Sequence, residues 1–258
     1  MKNQSNEKQS KNIPSRIISL VPSQTELLVD LGLQSSLVGI TKFCVHPKNL
    51  RKEVTVVGGT KQVHFEKIKA LQPDMILCNK EENTLEMVLE LEKIARVEVS
   101  DVNTFDDALQ LIKFYGELFD TTPSANKLIE QILANRTKFQ VKLTQIQRKK
   151  AAYFIWQQPY MVVANNTFIN AMLEEAGFDN VFKFRSRYPE IELTDKDLQQ
   201  AEVILLSSEP FPFKKNHLEQ FKNLFPEKDV IIADGEMFSW YGSRLFKCFD
   251  YFIQLIFA

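Results

Sequence analysis

The stretch from Pro123 to Lys150, PSANKLIEQILANRTKFQVKLTQIQRKK, reads as one uninterrupted helix. At 1.5 Å per residue it would run about 40 Å. Thr122 offers a hydroxyl for the N-cap, and Pro123 suits the first helical position. Leu128, Ile132, Phe139, Leu143 and Ile146 recur at helical spacing and predict one apolar face. Arg148, Lys149 and Lys150 place positive charge where a helix C-terminus favours it. Strand and helix patterns alternate both before and after this segment. The chain therefore divides into a polar, disordered tail (1–13), an N-terminal lobe (14–122), a connecting helix (123–150) and a C-terminal lobe (151–258).

Within the first lobe, Arg16–Val21 has a buried-strand pattern. Ser23-Gln24-Thr25-Glu26 then reads as a capping box opening a helix that stops at Gly32. Strands follow near 37–40, 54–57, 75–78 and 97–100, separated by helices near 65–71, 83–94 and 104–119. The second lobe repeats the scheme, with strands near 152–156, 161–163, 203–206 and 230–233 and a terminal helix from about Ser243. There is a weak internal echo: Thr25–Gly32 resembles Asn170–Gly177, and Ala70–Leu77 resembles Leu198–Leu205. The predicted fold class is α/β, two Rossmann-like lobes with central, mainly parallel sheets joined by one long backbone helix. Such lobes carry ligands at the carboxyl ends of their strands, so two facing lobes make a cleft.

Composition narrows the function. The net charge of −1 gives no reason to expect nucleic acid or an anionic membrane as partner. No run approaches the apolar length of a membrane span. The first residues, MKNQSNEKQSKNIPS, lack the apolar core of a secretory signal, which points to the cytoplasm unless the chain has been trimmed. Cys44, Cys78 and Cys248 are scattered and read as reduced, buried residues. His46, His64 and His217 each stand alone, so no metal site is expected. No nucleophile elbow or phosphate loop is present.

The segments directly after the predicted strands carry the candidate site. Trp156, Tyr160, Phe211, Phe213, Trp240 and Tyr241 gather on one edge of the second lobe, which predicts a pocket for a flat or amphipathic ligand. Asn79–Asn83 forms a polar loop facing them from the first lobe. The Ser23/Thr25 helix start is either a plain cap or an anion site. Arg185, Arg187 and Arg244 either meet an anionic ligand or are simply exposed.

Arg16-Ile-Ile-Ser-Leu-Val-Pro-Ser-Gln-Thr-Glu-Leu27, Phe65-Glu-Lys-Ile-Lys-Ala-Leu-Gln-Pro-Asp-Met-Ile76 and the long central helix resemble the vitamin B12 and ferric-siderophore substrate-binding proteins of ABC importers. The likeness runs from about residue 16 to 257. It implies two lobes on one backbone helix with ligand between them. Phe43 stands at a ligand-contacting aromatic position, Trp156 and Tyr160 lie on the segment carrying second-lobe aromatic contacts, and Tyr188 matches an aromatic packed against the corrin. Glu66 matches the carboxylate that docks onto the transporter's membrane subunit. Thr60 and Asn79 replace tryptophans of the B12 binder. Lys196 reverses the charge at the second docking position, leaving only Asp195 or Asp197 to substitute.

The resemblance implies a non-catalytic, monomeric protein that binds a corrinoid or ferric siderophore, holds no cofactor of its own and serves an ABC importer. Its expected ligand-binding residues are Phe43, Trp156, Tyr160, Arg187, Tyr188, Phe211, Trp240, Tyr241 and Arg244. Two other readings stand beside it. One is a cytoplasmic binding or sensing protein of this fold that docks no transporter. The other is an enzyme using Glu81, Glu82 or Glu209 as acid or base, which desolvated carboxylates paired across the cleft would favour.

Overall fold

A computed structural model describes residues 13–257; the tail at 1–13 lies outside it save for Ile13. The first half runs β1 (Ile17–Ser19), α1 (Pro22–Asp30), β2 (Leu37–Thr41), α2 (Leu50–Glu53), β3 (Thr55–Gly58), α3 (Phe65–Ala70), β4 (Met75–Asn79), α4 (Leu85–Glu92), β5 (Arg96–Ser100) and α5 (Phe105–Leu118). Its five strands are ordered β3-β2-β1-β4-β5, and every pairing is parallel. After α6 (Thr122–Leu143), the second half runs β6 (Lys149–Trp156), β7 (Tyr160–Val162), α7 (Phe168–Glu175), β8 (Phe178–Asn180), β9 (Glu190–Ile191), α8 (Lys196–Gln199), β10 (Val203–Ser207), α9 (Lys215–Leu224), β11 (Asp229–Ala233), α10 (Glu236–Ser239) and α11 (Leu245–Phe257). The second sheet is ordered β11-β10-β6-β7-β9, with β8 also on β6. β11, β10, β6 and β8 are parallel, whereas β7 runs antiparallel to both of its neighbours, β6 and β9.

The connecting helix is shorter than its periodicity predicts. It ends at Leu143, and the Thr144 amide closes the last turn onto Gln140 and Lys142. Lys149 and Lys150, expected as the helix's basic end, open β6 instead. Lys149 pairs with Phe178, and the Lys150 amide donates to Glu202 at 2.8 Å. Sheet hydrogen bonds on both sides of β6 outweigh one more helical turn that would have stood in water. Arg148 ties this junction down by donating to the Phe178 carbonyl at 2.8 Å and to Asp179 at 2.9 Å.

Only Ala125, Ile132 and Phe139 of α6 are buried, a narrow seam at heptad spacing. α5 and α11 pack on α6. Phe249 of α11 lies 5.9 Å from Phe105 and 5.8 Å from Phe139, centroid to centroid. One continuous core thus includes Leu27 and Tyr115 from the first half with Tyr153, Met172 and Phe252 from the second. Separate clusters cover the outer face of each sheet. The internal echo has a structural counterpart: α1 and α7 both end at a glycine of positive φ, 89° at Gly32 and 85° at Gly177.

The Ser23–Glu26 capping box does not form. Val21 is the N-cap residue of α1 and gives no side-chain bond. Thr25 Oγ1 donates to Ser19 Oγ at 2.8 Å, and Glu26 points across to the second lobe. Pro22 at the helix start already lacks an N–H, which lowers the demand for a cap.

Candidate functional site: the interlobe cleft

Residues that follow the carboxyl ends of one sheet's strands meet those that follow the other's. Gln24, after β1, donates to Ser100 at the end of β5 (2.6 Å) and to the Tyr241 hydroxyl (3.2 Å), while accepting from Tyr115 at 2.6 Å. His46, after β2, meets Glu236, after β11, at 2.9 Å. Glu81, after β4, meets Arg187 at 3.1 Å. Glu26 and Arg244 form a buried, two-pronged ion pair at 2.8 and 2.9 Å, and Arg244 also reaches Glu236 at 2.9 Å. A polar network therefore floors the cleft.

The first-lobe wall is built by Asn79. Its side-chain oxygen accepts from the amides of Glu81 (2.9 Å) and Glu82 (3.3 Å), and its amide donates to the Ser100 carbonyl at 3.0 Å. Asn79 is buried, so it braces the loop rather than presenting surface to a ligand. Asn83 extends the brace to the Thr60 carbonyl at 2.8 Å. Beside Thr60 a cavity of about 910 Å³ opens on the first lobe, lined by Phe43, Gly59, Thr60, Phe65 and Met87 among others. Phe43 is exposed there, with the Lys42 ammonium 5.0 Å from its ring centre.

The second-lobe aromatics do not share one wall. Trp156, at the carboxyl end of β6, heads a chain of edge-to-face contacts at 4.8 to 6.3 Å that runs through Phe211, Phe213, Phe221 and Phe154 to Tyr160, and the rings beyond Trp156 pack in the outer cluster of the sheet. Of these, Trp156 keeps an exposed face (40%), while Phe211 and Tyr160 are half-buried. Trp240 and Tyr241 form a second group beneath the cleft. Tyr241 is buried edge-on against Phe168 at 5.6 Å, and Trp240 lies under the Arg244 guanidinium at 4.9 Å. Tyr188 sits beside Glu81; burial, and then that carboxylate, hold its phenol protonated.

All three arginines expected to meet an anion are paired with carboxylates. Arg185 reaches Asp195 at 2.8 Å and Asp197 at 2.7 Å, Arg187 reaches Glu81, and Arg244 reaches Glu26 and Glu236. The same contacts occupy both second-lobe docking candidates, and Asp195 also caps α8. Glu66 is solvent-exposed, with only Lys69 beside it at 2.8 Å.

Carboxylates line the cleft from both sides. Glu209 accepts from Ser239 at 2.5 Å and from the Trp240 indole at 3.0 Å. Burial lifts its carboxyl to about 7, with Glu236 and Glu82 adding to the rise and the two donors opposing it. Burial likewise raises Glu82, against the pull of Lys61. Both groups are desolvated, and Glu209 senses the charge of Glu82 across the cleft, but its hydrogen bonds go to Ser239 and Trp240. Among the described residues no group of three or more His, Cys, Asp or Glu is arranged to hold a metal ion.

The sequence reading missed Gln24, Glu26, His46 and Glu236. Glu26 and Glu236 each follow a strand by a few residues, a position that marks cleft-facing loops. Their cross-lobe partners have no sequence signal.

The chain belongs to the periplasmic binding protein family, whose model matches residues 17–223. It is 28% identical over 171 residues to the uncharacterized ABC transporter substrate-binding lipoprotein YvrC of Bacillus subtilis, covering 63% of this chain and 54% of that one. The match thus spans about half the length of that relative. It is 25% identical over 197 residues to the vitamin B12-binding protein of Vibrio parahaemolyticus, covering 74% of this chain and 70% of that protein. Two solved structures share the fold at a TM-score of 0.80. The periplasmic vitamin B12-binding protein of Vibrio cholerae is 18% identical, with 93% of this chain and 96% of that one covered. A periplasmic heme-binding protein of Pseudomonas aeruginosa is 21% identical, with 93% and 91% covered. At such identities the structures speak for the fold alone; the family and its named relatives are binding proteins rather than enzymes.

Proposed function

We propose that this chain binds a corrin-like metal chelate between its lobes and presents it to an ABC importer. The observation that carries the reading is the meeting of the two sheets' carboxyl ends. It leaves the exposed rings of Phe43 and Trp156 on opposite lobes, with Phe43 on a first-lobe cavity of about 910 Å³. A flat ligand would lie against Phe43 and Tyr188, with Trp156 at the second-lobe rim. Pairing of Arg185, Arg187 and Arg244 with carboxylates favours a neutral corrinoid over an anionic ferric siderophore. Fluorescence titration with cyanocobalamin, hemin and ferric siderophores tests this, since Trp156 borders the proposed site. A saturable response is expected for cyanocobalamin, and none from any of the three classes would sink the proposal.

A binding protein that docks no transporter is the second reading. It is supported by Asp195 and Asp197, which Arg185 already engages. Co-purification with the cognate membrane subunit, compared between the native chain and Glu66→Lys, separates the two. Capture that Glu66→Lys abolishes would reject this second reading.

A further inference from the structure

The loop between β8 and β9 is anchored at its base. The Arg187 amide donates to the Asn165 carbonyl at 2.7 Å, and the Ala164 amide donates back to the Arg187 carbonyl at 2.8 Å. Arg187 lies in the left-handed region at φ 58°, where a residue with a side chain stays only when its surroundings impose it. From there its guanidinium leaves the second lobe and reaches Glu81 at 3.1 Å. Glu81 is held just as firmly. Its amide donates to Asn79, and its carbonyl accepts from Lys61 at 2.6 Å. Two braced backbones thus present opposite charges to each other across the cleft.

The contact is half-exposed, 51% at Arg187 and 32% at Glu81. An ion pair this wet contributes little stability and is screened by salt. That suits a contact that has to break readily. The cross-lobe pairs His46 with Glu236 and Glu26 with Arg244 meet at the buried Arg244 and belong to the floor rather than the mouth.

We infer that Arg187 and Glu81 form a clasp across the mouth of the cleft that has to open before a ligand enters. This rests on the proposed binding role of the cleft. Opening breaks the Arg187–Glu81 contact together with the backbone bonds that pin the 183–189 segment to Ala164 and Asn165, and leaves the shared core intact. The association rate, rather than the lobe arrangement, is what the clasp controls.

The clasp is testable without ligand. Leu85 and Phe184 are exposed, one on each lobe, and the natural cysteines are buried, so Leu85→Cys with Phe184→Cys accepts a spin-label pair cleanly. Distance distributions from pulsed electron paramagnetic resonance should lengthen and broaden in Arg187→Ala and in Glu81→Arg. The exchange of both charges, Arg187→Glu with Glu81→Arg, should restore the native distribution. Unchanged single variants, or an exchange that fails to restore it, would overturn the clasp. Stopped-flow fluorescence with cyanocobalamin should then show several-fold faster association for Arg187→Ala, the gap narrowing at high salt. An unchanged rate overturns the gating role. Absence of cyanocobalamin binding in every variant overturns the binding reading and the gating with it, while the ligand-free distances still decide the clasp.

Discussion

Arg244 and Glu26 lie 218 residues apart and meet as a buried, two-pronged ion pair that joins the start of α11 to α1. The pair ties the last helix of the second half to the first helix of the first. Arg244 also holds Glu236 and covers Trp240, so one guanidinium organises the cleft floor. Removing it would leave Glu26 a buried carboxylate with only the half-exposed Lys247, 3.8 Å away, to offset it.

Arg244→Met should therefore destabilise the protein by about 3–5 kcal/mol, the usual result of breaking a buried pair from one side. Removing both charges, Arg244→Met with Glu26→Gln, should cost less than Arg244→Met alone. Urea denaturation of the three proteins checks this. A double variant less stable than the single one would contradict the pairing.

Gly116 allows α5 and α6 to approach closely, because a Cβ there would stand 2.6 Å from the Ala125 Cβ. Gly116→Ala should cost roughly 1–3 kcal/mol through overpacking. Ala125→Gly should recover part of that loss in the same background, as read from thermal midpoints.

Glu209 sets a pH dependence. Its carboxyl titrates at about 7 in the folded protein, chiefly through burial, against roughly 4.3 for an unfolded chain. The folded state thus keeps a proton that the unfolded state releases. This contribution to stability is full below the unfolded value and falls as pH rises through about 7. Glu209→Gln should flatten the decline in urea midpoint between about pH 5 and about pH 8; an identical decline in both proteins would refute the assignment.

In the proposed complex Phe43 and Trp156 offer partly exposed rings to the ligand from the two lobes. Phe43→Ala and Trp156→Ala should each weaken cyanocobalamin binding by roughly tenfold, about 1.4 kcal/mol, in the range of a lost aromatic contact. Their thermal midpoints should fall only modestly, because each ring already has two-fifths to a half of its surface in water. Equilibrium dialysis with each variant checks it.

Ligand should change the overall shape little. One core runs through α1, α5, α6, α7 and α11, so the lobes cannot swing apart without opening it. Scattering curves with and without cyanocobalamin should superimpose; a large closure would refute this.

Much of the architecture was readable along the chain. The alternation of apolar strands such as Val203–Ser207 with amphipathic helices such as Phe105–Leu118 encodes an α/β fold, because burial and period are local properties. The Gly32 and Gly177 helix stops were equally plain. Short strands were not: Phe178–Asn180 and Glu190–Ile191 have too few residues for a period and exist only because β6 and β7 offer them edges. The end of α6 failed for a related reason, since Lys149 and Lys150 are drawn into the sheet by neighbours far along the chain.

The residue sequence alone determined the number and order of the major elements, and the strand-end positions from which cleft loops emerge. Tertiary structure decided what those loops do. It split the aromatic group into an outer cluster around Phe221 and a floor around Trp240. It engaged each candidate arginine with a carboxylate and brought Arg187 to Glu81. Local pattern specifies which face of an element is apolar, whereas the partner of a charge depends on which distant segment folding brings within a few ångströms.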